Sequence, residues 1–453
     1  MYDCLKKISG KKGFIHMESR RSFLRTTAAA AVVSQTVRGA NDRVQMGVIG
    51  TGTRGMQDFR SFAYHEDCAF IAACDVNKVR LESALQTMGG KVDSYGDYRR
   101  ILDRKDIDAV LITTPDHWHS PIMVEACAAG KDVYVEKPIS NTLPAAQKMV
   151  EAAQKYKRVV QMGCQQRSTP HFQACVKMIQ DGLLGKVTHA VLLYPGGYAR
   201  VQQPPEPPPP TLDWEMYQGP APRKPYSPSR MSWRSFYAYG GGLITDWGVH
   251  LTDIAHMALG CDRKGPALTG VSAQWVTMPR DDEQIPEAFI CTWQYEDFVM
   301  SFTNAVPPGQ SFDQSGNWFY GRRGALHVNR AGYHILPAAQ RAAPPQAARG
   351  GAAGAPAGGG PAGVAQPGRA PGGRGGQPAG PPLEAKDFRN TDRGINGDGP
   401  LHARNFLDCI KSRQKPNCEI EIGFYSSLPC LLALMAIQQG RSIAWDGKTA
   451  KAV

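Results

Sequence analysis

The chain has 453 residues, 42% hydrophobic and 20% charged, a composition typical of a globular protein with two or three domains. Of its formal net charge of +12, residues 1–40 contribute +6 and the stretch 341–382 contributes +4, which leaves the rest nearly neutral. This distribution argues against nucleic-acid binding. The eleven cysteines show no C-x-x-C pair and no zinc-ligand spacing, which predicts reduced core thiols and no metal site.

Residues 1–40 have the layout of a twin-arginine export signal. Arg20, Arg21, Phe23 and Leu24 match the motif, and a small-residue apolar run follows at 28–33. The match predicts a periplasmic or otherwise extracytoplasmic protein that folds before export; a basic, disordered N-terminus is the alternative. No later stretch is expected to supply the ~18 apolar residues of a spanning helix, so stable membrane insertion is not predicted.

A dinucleotide-binding turn follows the first predicted strand, 44–49. Gly50, Gly52 and Gly55 form a G-x-G-x-x-G motif around Thr53 and Arg54, at the point where a strand leads into a helix. In that context the first glycine makes the turn, the second admits the pyrophosphate and the third packs the helix on the strand. The helix N-terminus then offers amides and its dipole to the anion.

The nature of the dinucleotide is indicated by Asp75, which ends the next predicted strand twenty residues beyond Gly55. A carboxylate at this place accepts a hydrogen bond from the ribose 2′-hydroxyl and repels a 2′-phosphate, so NAD is predicted. Lys78 and Arg80 lie close by and keep NADP as the less favoured alternative.

Two further strand ends are expected at the cofactor. Strand 109–113 leads into a loop that carries candidate cofactor-binding residues, namely Thr114, Pro115, Trp118 and His119. In open parallel sheets, ligands lie beyond the carboxyl ends of the strands; a helix-capping role is the alternative for the histidine.

Strand 133–135 leads into Glu136, Lys137 and Pro138. A lysine at this strand end is placed to reach the reacting carbon. A lowered pKa near the cationic nicotinamide would suit it to polarise a hydroxyl or ketone oxygen.

The run Gly240-Gly241-Gly242 opens a predicted helix on which Asp246 and His250 are four residues apart. That spacing brings two side chains to one helix face. A carboxylate beside an imidazole can orient a general base and stabilise its protonated form. The alternative is a capping aspartate and an ordinary half-buried histidine.

Taken in this order, the glycine turn, Glu136-Lys137-Pro138, and Asp246 with His250 resemble the glucose–fructose oxidoreductase, inositol dehydrogenase and rhizopine catabolism family (Gfo/Idh/MocA). The resemblance covers about 43–330 and the segment from about 385. It implies an α/β protein with an N-terminal Rossmann domain and a C-terminal α/β domain. The C-terminal domain would have an open, mostly antiparallel sheet that forms the sugar site and often an oligomer face. In the family the matching lysine, aspartate and histidine act on the substrate.

The domain limits predicted on this basis are 43–165 for the Rossmann domain, and 166–336 with 385–453 for the substrate domain. Residues 337–384 form an insertion rich in glycine, alanine and proline, which cannot bury enough apolar surface to order itself. A homo-oligomer, dimer or tetramer, is expected.

Five residues are candidates for binding a carbohydrate. Gln165 and Arg167 follow the strand at 159–163 and are expected to face the cleft, with surface exposure as the equal alternative. Trp233, Arg234 and Tyr237 precede the glycine run; aromatic rings beside an arginine suit the C–H face of a pyranose, although core or lid positions explain them almost as well.

These features predict an exported NAD(P)-dependent oxidoreductase that acts on a CH–OH group of a sugar, polyol or glycoside. Outside the cytoplasm little free NAD is available, so the cofactor is expected to be retained and recycled within each cycle. Two redox-balanced outcomes are open: one sugar is oxidised while another is reduced, or a glycoside is cleaved by transient oxidation. A non-catalytic sugar sensor on the same fold is a further alternative.

Overall fold

The structure is a computed structural model that describes residues 43–198, 202–277, 280, 283–305, 315–338, 383–390 and 398–453. The predicted export signal at 1–40 lies outside these ranges, as does the predicted insertion at 337–384 except for its two ends. From Val44 to Val453 the chain forms one compact unit.

The first part of this unit is a sheet of six strands, each flanked in sequence by helices. The strands are β1 (Val44–Ile49), β2 (Cys68–Cys74), β3 (Asp93–Tyr95), β4 (Ala109–Ile112), β5 (Asp132–Val135) and β6 (Val160–Met162). The helices are α1 (Thr53–Ala63), α2 (Lys78–Met88), α3 (Arg99–Leu102), α4 (His119–Ala128) and α5 (Leu143–Tyr156). All pairs are parallel, in the order β3-β2-β1-β4-β5-β6. This is the order of the dinucleotide-binding fold, and the predicted Rossmann fold is confirmed.

Continuous apolar runs explain the parallel sheet. In β4 all four side chains are buried, because helices cover both faces of a parallel sheet and leave no polar side. Such a strand needs a crossover helix to reach its parallel neighbour, and the helices between β1 and β6 provide these crossovers. Because all six strands run in the same direction, their carboxyl ends and the loops that follow them lie at one edge of the sheet.

The second part is a ten-stranded sheet in the order β14-β13-β12-β11-β7-β10-β9-β8-β15-β16 when its strands are numbered along the chain. Those strands are β7 (Val187–Leu193), β8 (Leu268–Gln274), β9 (Ala288–Gln294), β10 (Val299–Thr303), β11 (Gly316–Gly321), β12 (Gly324–Asn329), β13 (Gly332–Pro337), β14 (Lys386–Arg389), β15 (Ile443–Trp445) and β16 (Ala450–Ala452). Every pair is antiparallel except β7 with β10. The predicted open, mostly antiparallel sheet is confirmed, whereas the domain limits stay predictions.

Helices of the second part pack between the two sheets and around them. They are α6 (Pro170–Gln180), α7 (Trp214–Gln218), α8 (Gly242–Asp246), α9 (Gly248–Leu259), α10 (Asp398–Ser412) and α11 (Ile420–Gln439). α10 packs on the Rossmann sheet through Ala403, Phe406 and Leu407, which share a core with β1. The last part of the chain therefore returns to the first sheet and packs against it.

α11 is long and apolar enough to cross a membrane by length and composition alone. The sequence-based expectation that no stretch reaches this length is therefore wrong. Most of the helix is buried inside the protein, where Leu428, Leu432 and Ala433 join the main core. The apolar side chains around the helix therefore pack against other parts of the protein, as is typical of a central core helix.

Buried histidines make the folded state sensitive to acid. Burial lowers the pKa of His117, His256 and His402 to about 4, whereas histidine in an unfolded chain titrates near ~6.5. The unfolded state therefore binds more protons at acidic pH, so this stabilisation is complete above about 6.5 and is lost as pH falls towards 4.

We expect the free energy of unfolding to fall between pH 7 and pH 5 by about 1–2 kcal/mol for each of these histidines. Urea unfolding at the two pH values measures this. His402→Gln should flatten the pH dependence even though it lowers stability at pH 7, because His402 bridges Ser168 Oγ and the carbonyl of Met162. An unchanged slope in that variant would contradict the prediction.

Candidate active site

A cavity of about 960 Å³ runs along the carboxyl edge of the Rossmann sheet and continues towards the second sheet. Its Rossmann wall includes Gly50 and Asp75, and Lys137 lies farther along. Asp246 and His250 line it from the helices of the second part. The expectation that Lys137, Asp246 and His250 converge on one cavity agrees with these positions.

The glycine turn has the shape that a dinucleotide requires. Gly50 has φ +92, and a Cβ there would come within 2.8 Å of the Thr113 backbone. A Cβ on Gly55 would lie 2.1 Å from the carbonyl oxygen of Gly50, so only glycine lets α1 pack this close to β1. A Cβ on Gly52 would meet nothing nearer than Arg80, at 3.7 Å, so this wall is open towards the cavity.

Helix α1 begins at Thr53 without a side-chain cap. The backbone amides of its first turn, which includes Arg54, are therefore left for a ligand anion. Thr53 and Arg54 line the cavity, whereas Gly55 does not and serves the packing of the helix. These residues fit the pyrophosphate of a dinucleotide.

Asp75 stands at the end of β2, where its carboxylate is fixed by three donors. Oδ2 accepts from the Thr51 amide at 2.8 Å and from Thr51 Oγ1 at 3.1 Å, and Oδ1 accepts from the Asn77 amide at 2.9 Å. The carboxylate lines the cavity. A fixed anion at this strand end favours a ribose hydroxyl over a phosphate.

Asp75→Asn should therefore narrow the preference for NADH over NADPH by about tenfold or more, because a like-charge contact costs several kcal/mol. Fluorescence titration with NADH and with NADPH gives the two dissociation constants. Asp103→Asn, at an exposed position after α3, is the matched control. An unchanged ratio in Asp75→Asn would place the ribose elsewhere.

The remaining predicted cofactor residues, Thr114, Pro115, Trp118, His119 and Glu136, also line the cavity. Trp118 Nε1 donates to the Tyr217 carbonyl at 2.9 Å. The His119 ring lies between two carbonyls, with Nδ1 2.8 Å from Pro138 O and Nε2 3.0 Å from Thr114 O. His119 thus ties the loop after β4 to the loop after β5.

Lys137 is held by Asp246. Its ammonium donates to Asp246 Oδ1 and to the Asp246 backbone carbonyl, both at 2.6 Å. An ammonium has three donors, so one remains for a ligand. The Lys137–Pro138 peptide bond is cis.

Asp246 is surrounded by donors. Besides Lys137, the Tyr198 hydroxyl donates to Oδ2, and Arg234 Nε lies 3.2 Å from Oδ1. Burial would raise the pKa of Asp246, but Lys137 and Arg234 outweigh it and hold the pKa well below its usual range. Asp246 is therefore ionised.

The predicted pairing of Asp246 with His250 is wrong. Trp247 separates α8 from α9, and the Asp246 carboxylate turns to the two cations rather than to the imidazole. In the described part of the chain, His250 Nδ1 has no hydrogen-bond partner. Burial, followed by the charges of Lys137 and Arg330, lowers the pKa of His250 well below its usual value, so the ring is a neutral proton acceptor.

Asp116 belongs to the site although the sequence did not single it out. It lies in the loop after β4, is buried and lines the cavity. Burial raises the pKa of Asp116 well above its usual range, against the opposing charges of Arg234 and Lys137. This shift favours the neutral carboxylic acid. Asp116 could have been predicted as a site residue from its position in the same strand-end loop as Thr114.

Three residues before the glycine run were predicted to bind the carbohydrate, and two of them line the cavity. Trp233 and Arg234 do so, with the guanidinium carbon of Arg234 4.1 Å from the Trp233 ring centroid. Tyr237 does not line the cavity; its carbonyl accepts from Asn141. Tyr198 and Arg330, which the sequence did not indicate, are added to the site by the fold.

Gln165 and Arg167 do not face the cleft, which corrects their prediction as sugar ligands. Both are buried, because each serves as an internal partner. Gln165 Nε2 donates to Glu136 Oε1 at 2.7 Å, and Arg167 Nε donates to Asp253 Oδ1 at 2.6 Å. Gln165 therefore supports a residue of the cavity wall from behind, and Arg167 pairs with Asp253, which lies outside the wall.

The thiols of Cys164 and Cys418 lie with the Asp253 carboxylate within 4.8 Å of one another, as metal ligands can. Burial raises the pKa of the Cys164 thiol well above its usual range, and Arg167 already pairs with Asp253. The group therefore consists of a protonated thiol and an ion pair, away from the cavity.

Comparison with known families supports the assignment of both parts. The GFO_IDH_MocA model, described as oxidoreductase family, NAD-binding Rossmann fold, matches residues 44–164. The GFO_IDH_MocA_C2 model, described as oxidoreductase family, C-terminal alpha/beta domain, matches residues 172–331.

Among curated proteins, glycosyl hydrolase family 109 protein 2 of Shewanella sp. (strain ANA-3) is 32% identical over 165 residues, which is 34% of this chain and 35% of that protein. Inositol 2-dehydrogenase of Klebsiella pneumoniae subsp. pneumoniae is 31% identical over 144 residues, 31% of this chain and 43% of that protein. The chain thus spans less than half of the length of these relatives.

Among solved structures, a levoglucosan dehydrogenase in complex with NADH and levoglucosan superposes with a TM-score of 0.62. The match covers 89% of this chain and 99% of the other at 16% identity, so it concerns the fold.

Proposed function

Because the chain belongs to the Gfo/Idh/MocA oxidoreductase family and has its NAD-binding domain, we propose that it oxidises a hydroxyl group of a sugar, polyol or glycoside. The observation that carries the proposal is the convergence of Lys137 and His250 on the cavity that the glycine turn and Asp75 also line. Inositol 2-dehydrogenase and levoglucosan dehydrogenase, by name, act on such compounds.

The roles follow from the contacts. Asp246 fixes the Lys137 ammonium and leaves one N–H to hydrogen-bond the reacting oxygen. His250, neutral and in the same cavity, takes the hydroxyl proton. When bound, NAD would supply the hydride acceptor for the carbon atom that bears this hydroxyl group.

A second candidate is an NAD-dependent glycosidase, and Asp116 is the observation that favours it. Cleavage by oxidation, elimination, hydration and re-reduction needs a proton for the departing oxygen as well as a base. Asp116 is a buried, neutral acid in the same cavity as His250. A relative whose sequence aligns with 34% of this chain is named as a glycosyl hydrolase.

We propose further that the protein is exported and retains its cofactor between turnovers. Support comes from the match at Arg20, Arg21, Phe23 and Leu24 and from the scarcity of free NAD outside the cytoplasm. Retention would make either redox-balanced reaction independent of added NAD.

A homo-oligomer is supported by the outer face of the ten-stranded sheet. Four exposed apolar side chains stand in one cross-strand row, in which the exposed polar residues Gln294 and His189 lie between them: Leu268, Val299, Tyr320 and Leu336. A face that mixes apolar and polar side chains in this way suits contact with a second copy of the chain. Light scattering of the purified protein gives the oligomeric state.

The deciding experiment is purification without added cofactor. Protein denatured after purification should release NAD in a ratio near one per chain. The intact protein should then turn over a panel of monosaccharides, or aryl glycosides, with none added. Product analysis separates sugar oxidation from glycoside cleavage. Loss of all NAD on gentle purification would reject retention, and absence of turnover with NAD supplied would reject the enzyme.

A further inference from the structure

Arg330 lies in the turn between β12 and β13 and lines the cavity from the side of the second sheet. Its guanidinium carbon is 4.7 Å from the centroid of the Trp247 ring. The Trp247 ring is in turn 5.7 Å from the His250 ring and stacks on Tyr194 at 3.7 Å. The guanidinium is therefore within about 10 Å of the imidazole.

In the part of the chain that the structure describes, no carboxylate lies within 4.0 Å of the Arg330 guanidinium. Other arginines at and behind the site are paired: Arg54 with Asp58 and Glu136, Arg167 with Asp253 and Asp262, and Arg234 with Asp246. Arg330 thus presents to the cavity a positive charge that has no ion-pair partner among the described residues, although Asp398 and Glu136 are near enough to act on that charge.

The stacking leaves the hydrogen-bonding edge of this arginine available. A guanidinium on an aromatic ring uses its flat face for the contact. Its N–H groups lie in the plane of the guanidinium, as a fork that matches the two oxygens of a carboxylate. The aromatic support from Trp247 also limits the rotamers of the side chain, so less entropy is lost when a ligand binds.

The charge balance around the reacting end of the cavity points to an anion. Of the side chains that line the cavity there, Arg54, Lys137, Arg234 and Arg330 are cations, whereas Glu136 and Asp246 are carboxylates whose pKa values are held below their usual range. Burial raises the pKa of Asp116 well above its usual range, so it adds no second fixed anion beside Asp246. A cavity that keeps a net positive charge attracts a negatively charged substrate.

We propose that the substrate is a carboxylated carbohydrate, such as a hexuronate or an aldonate, whose carboxylate pairs with Arg330 while one of its hydroxyls faces Lys137 and His250. This inference rests on the proposed oxidation of a carbohydrate hydroxyl. A guanidinium fork also binds phosphate esters, so this second anionic class is a separate arm of the experiment.

The test compares carboxylated with neutral sugars on the NAD-loaded protein. D-Glucuronate, D-galacturonate and D-gluconate are titrated by calorimetry beside D-glucose and D-galactose, with D-glucose 6-phosphate as a separate arm, and NADH formation is followed in parallel. We expect the carboxylated probes to bind more tightly. Arg330→Gln should weaken their binding about 10- to 100-fold and leave neutral sugars unaffected.

Arg322→Gln, an exposed arginine on the same sheet outside the cavity, should leave all affinities unchanged. NAD binding and the thermal midpoint show whether Arg330→Gln is folded. The comparison of ligand classes on the unmodified protein tests the proposal without any variant.

Three results would overturn the inference: neutral and carboxylated probes bind equally, no carboxylated probe binds, or the phosphate ester binds more tightly than the carboxylated probes. Oxidation of a neutral sugar in that case would leave the proposed function intact. Carboxylate binding that depends on Arg330, without turnover of any probe, would support the anion site and count against the oxidoreductase function.

Discussion

Lys137→Ala is expected to lower kcat about 100- to 10,000-fold, the range that a positioned acid–base group contributes. The substitution removes the donor to the reacting oxygen. It also leaves the Asp246 carboxylate in the cavity with only Arg234 and Tyr198 as partners. Initial rates with the best sugar found above measure the effect, and fluorescence titration with NADH should show that the cofactor still binds.

Lys148→Ala is the matched control, because this lysine is exposed on α5 and its removal should change neither quantity. A Lys137→Ala protein that turns over substrate at the original rate would contradict the mechanism. A sugar sensor would behave differently again: its unmodified form would bind the sugar without turnover, and the substitution would leave that binding largely intact.

Gly55→Ala is expected to weaken NAD binding about 100-fold or more and to destabilise the fold, because the new Cβ would lie 2.1 Å from Gly50 O and 2.6 Å from Thr113 Oγ1. Neither neighbour can move without displacing the turn at the end of β1. Overpacking of this kind typically costs about 1–3 kcal/mol, and sometimes more. Thermal unfolding without NAD and NADH titration measure the two effects separately.

Gly52→Ala provides the contrast within the same turn. Its Cβ would meet only Arg80, at 3.7 Å, so the unfolding midpoint should stay close to that of the original protein. If this variant binds NADH more weakly, we would infer that the cofactor lies close to residue 52. Full NADH affinity in Gly55→Ala would show that the turn tolerates the helix being pushed away from the strand.

The Rossmann half of the site was predictable because its chemistry is local in the chain. The glycines, Asp75, Thr114 and Lys137 all follow predicted strands within a few residues, and in a parallel sheet those strand ends meet at one edge. Each position in that half could therefore be inferred from a strand pattern and a short motif. The cavity contains all of these residues except Gly55, whose role is packing.

The contacts made by side chains in the rest of the site could not be inferred in this way. The spacing of Asp246 and His250 suggested a pair, but the carboxylate is drawn to Lys137, 109 residues earlier in the chain. Gln165 and Arg167 look like polar loop residues in sequence and become internal partners once Glu136 and Asp253 lie beside them. Arg330 has no motif at all, and only the turn between β12 and β13 brings it over Trp247.

Sequence alone therefore determined the fold class and the cofactor, and it singled out a lysine and a histidine that line the cavity. It could do so because hydrophobic runs, glycine spacing and strand ends are properties of neighbouring residues. Tertiary structure decided which charges meet: it brought the Asp246 carboxylate to Lys137 and left Arg330 without an ion-pair partner among the described residues. By burial it also lowered the pKa of His250 and raised the pKa of Asp116. Electrostatic partners are chosen by distance and burial in the folded chain, and neither quantity can be read from separation along the sequence.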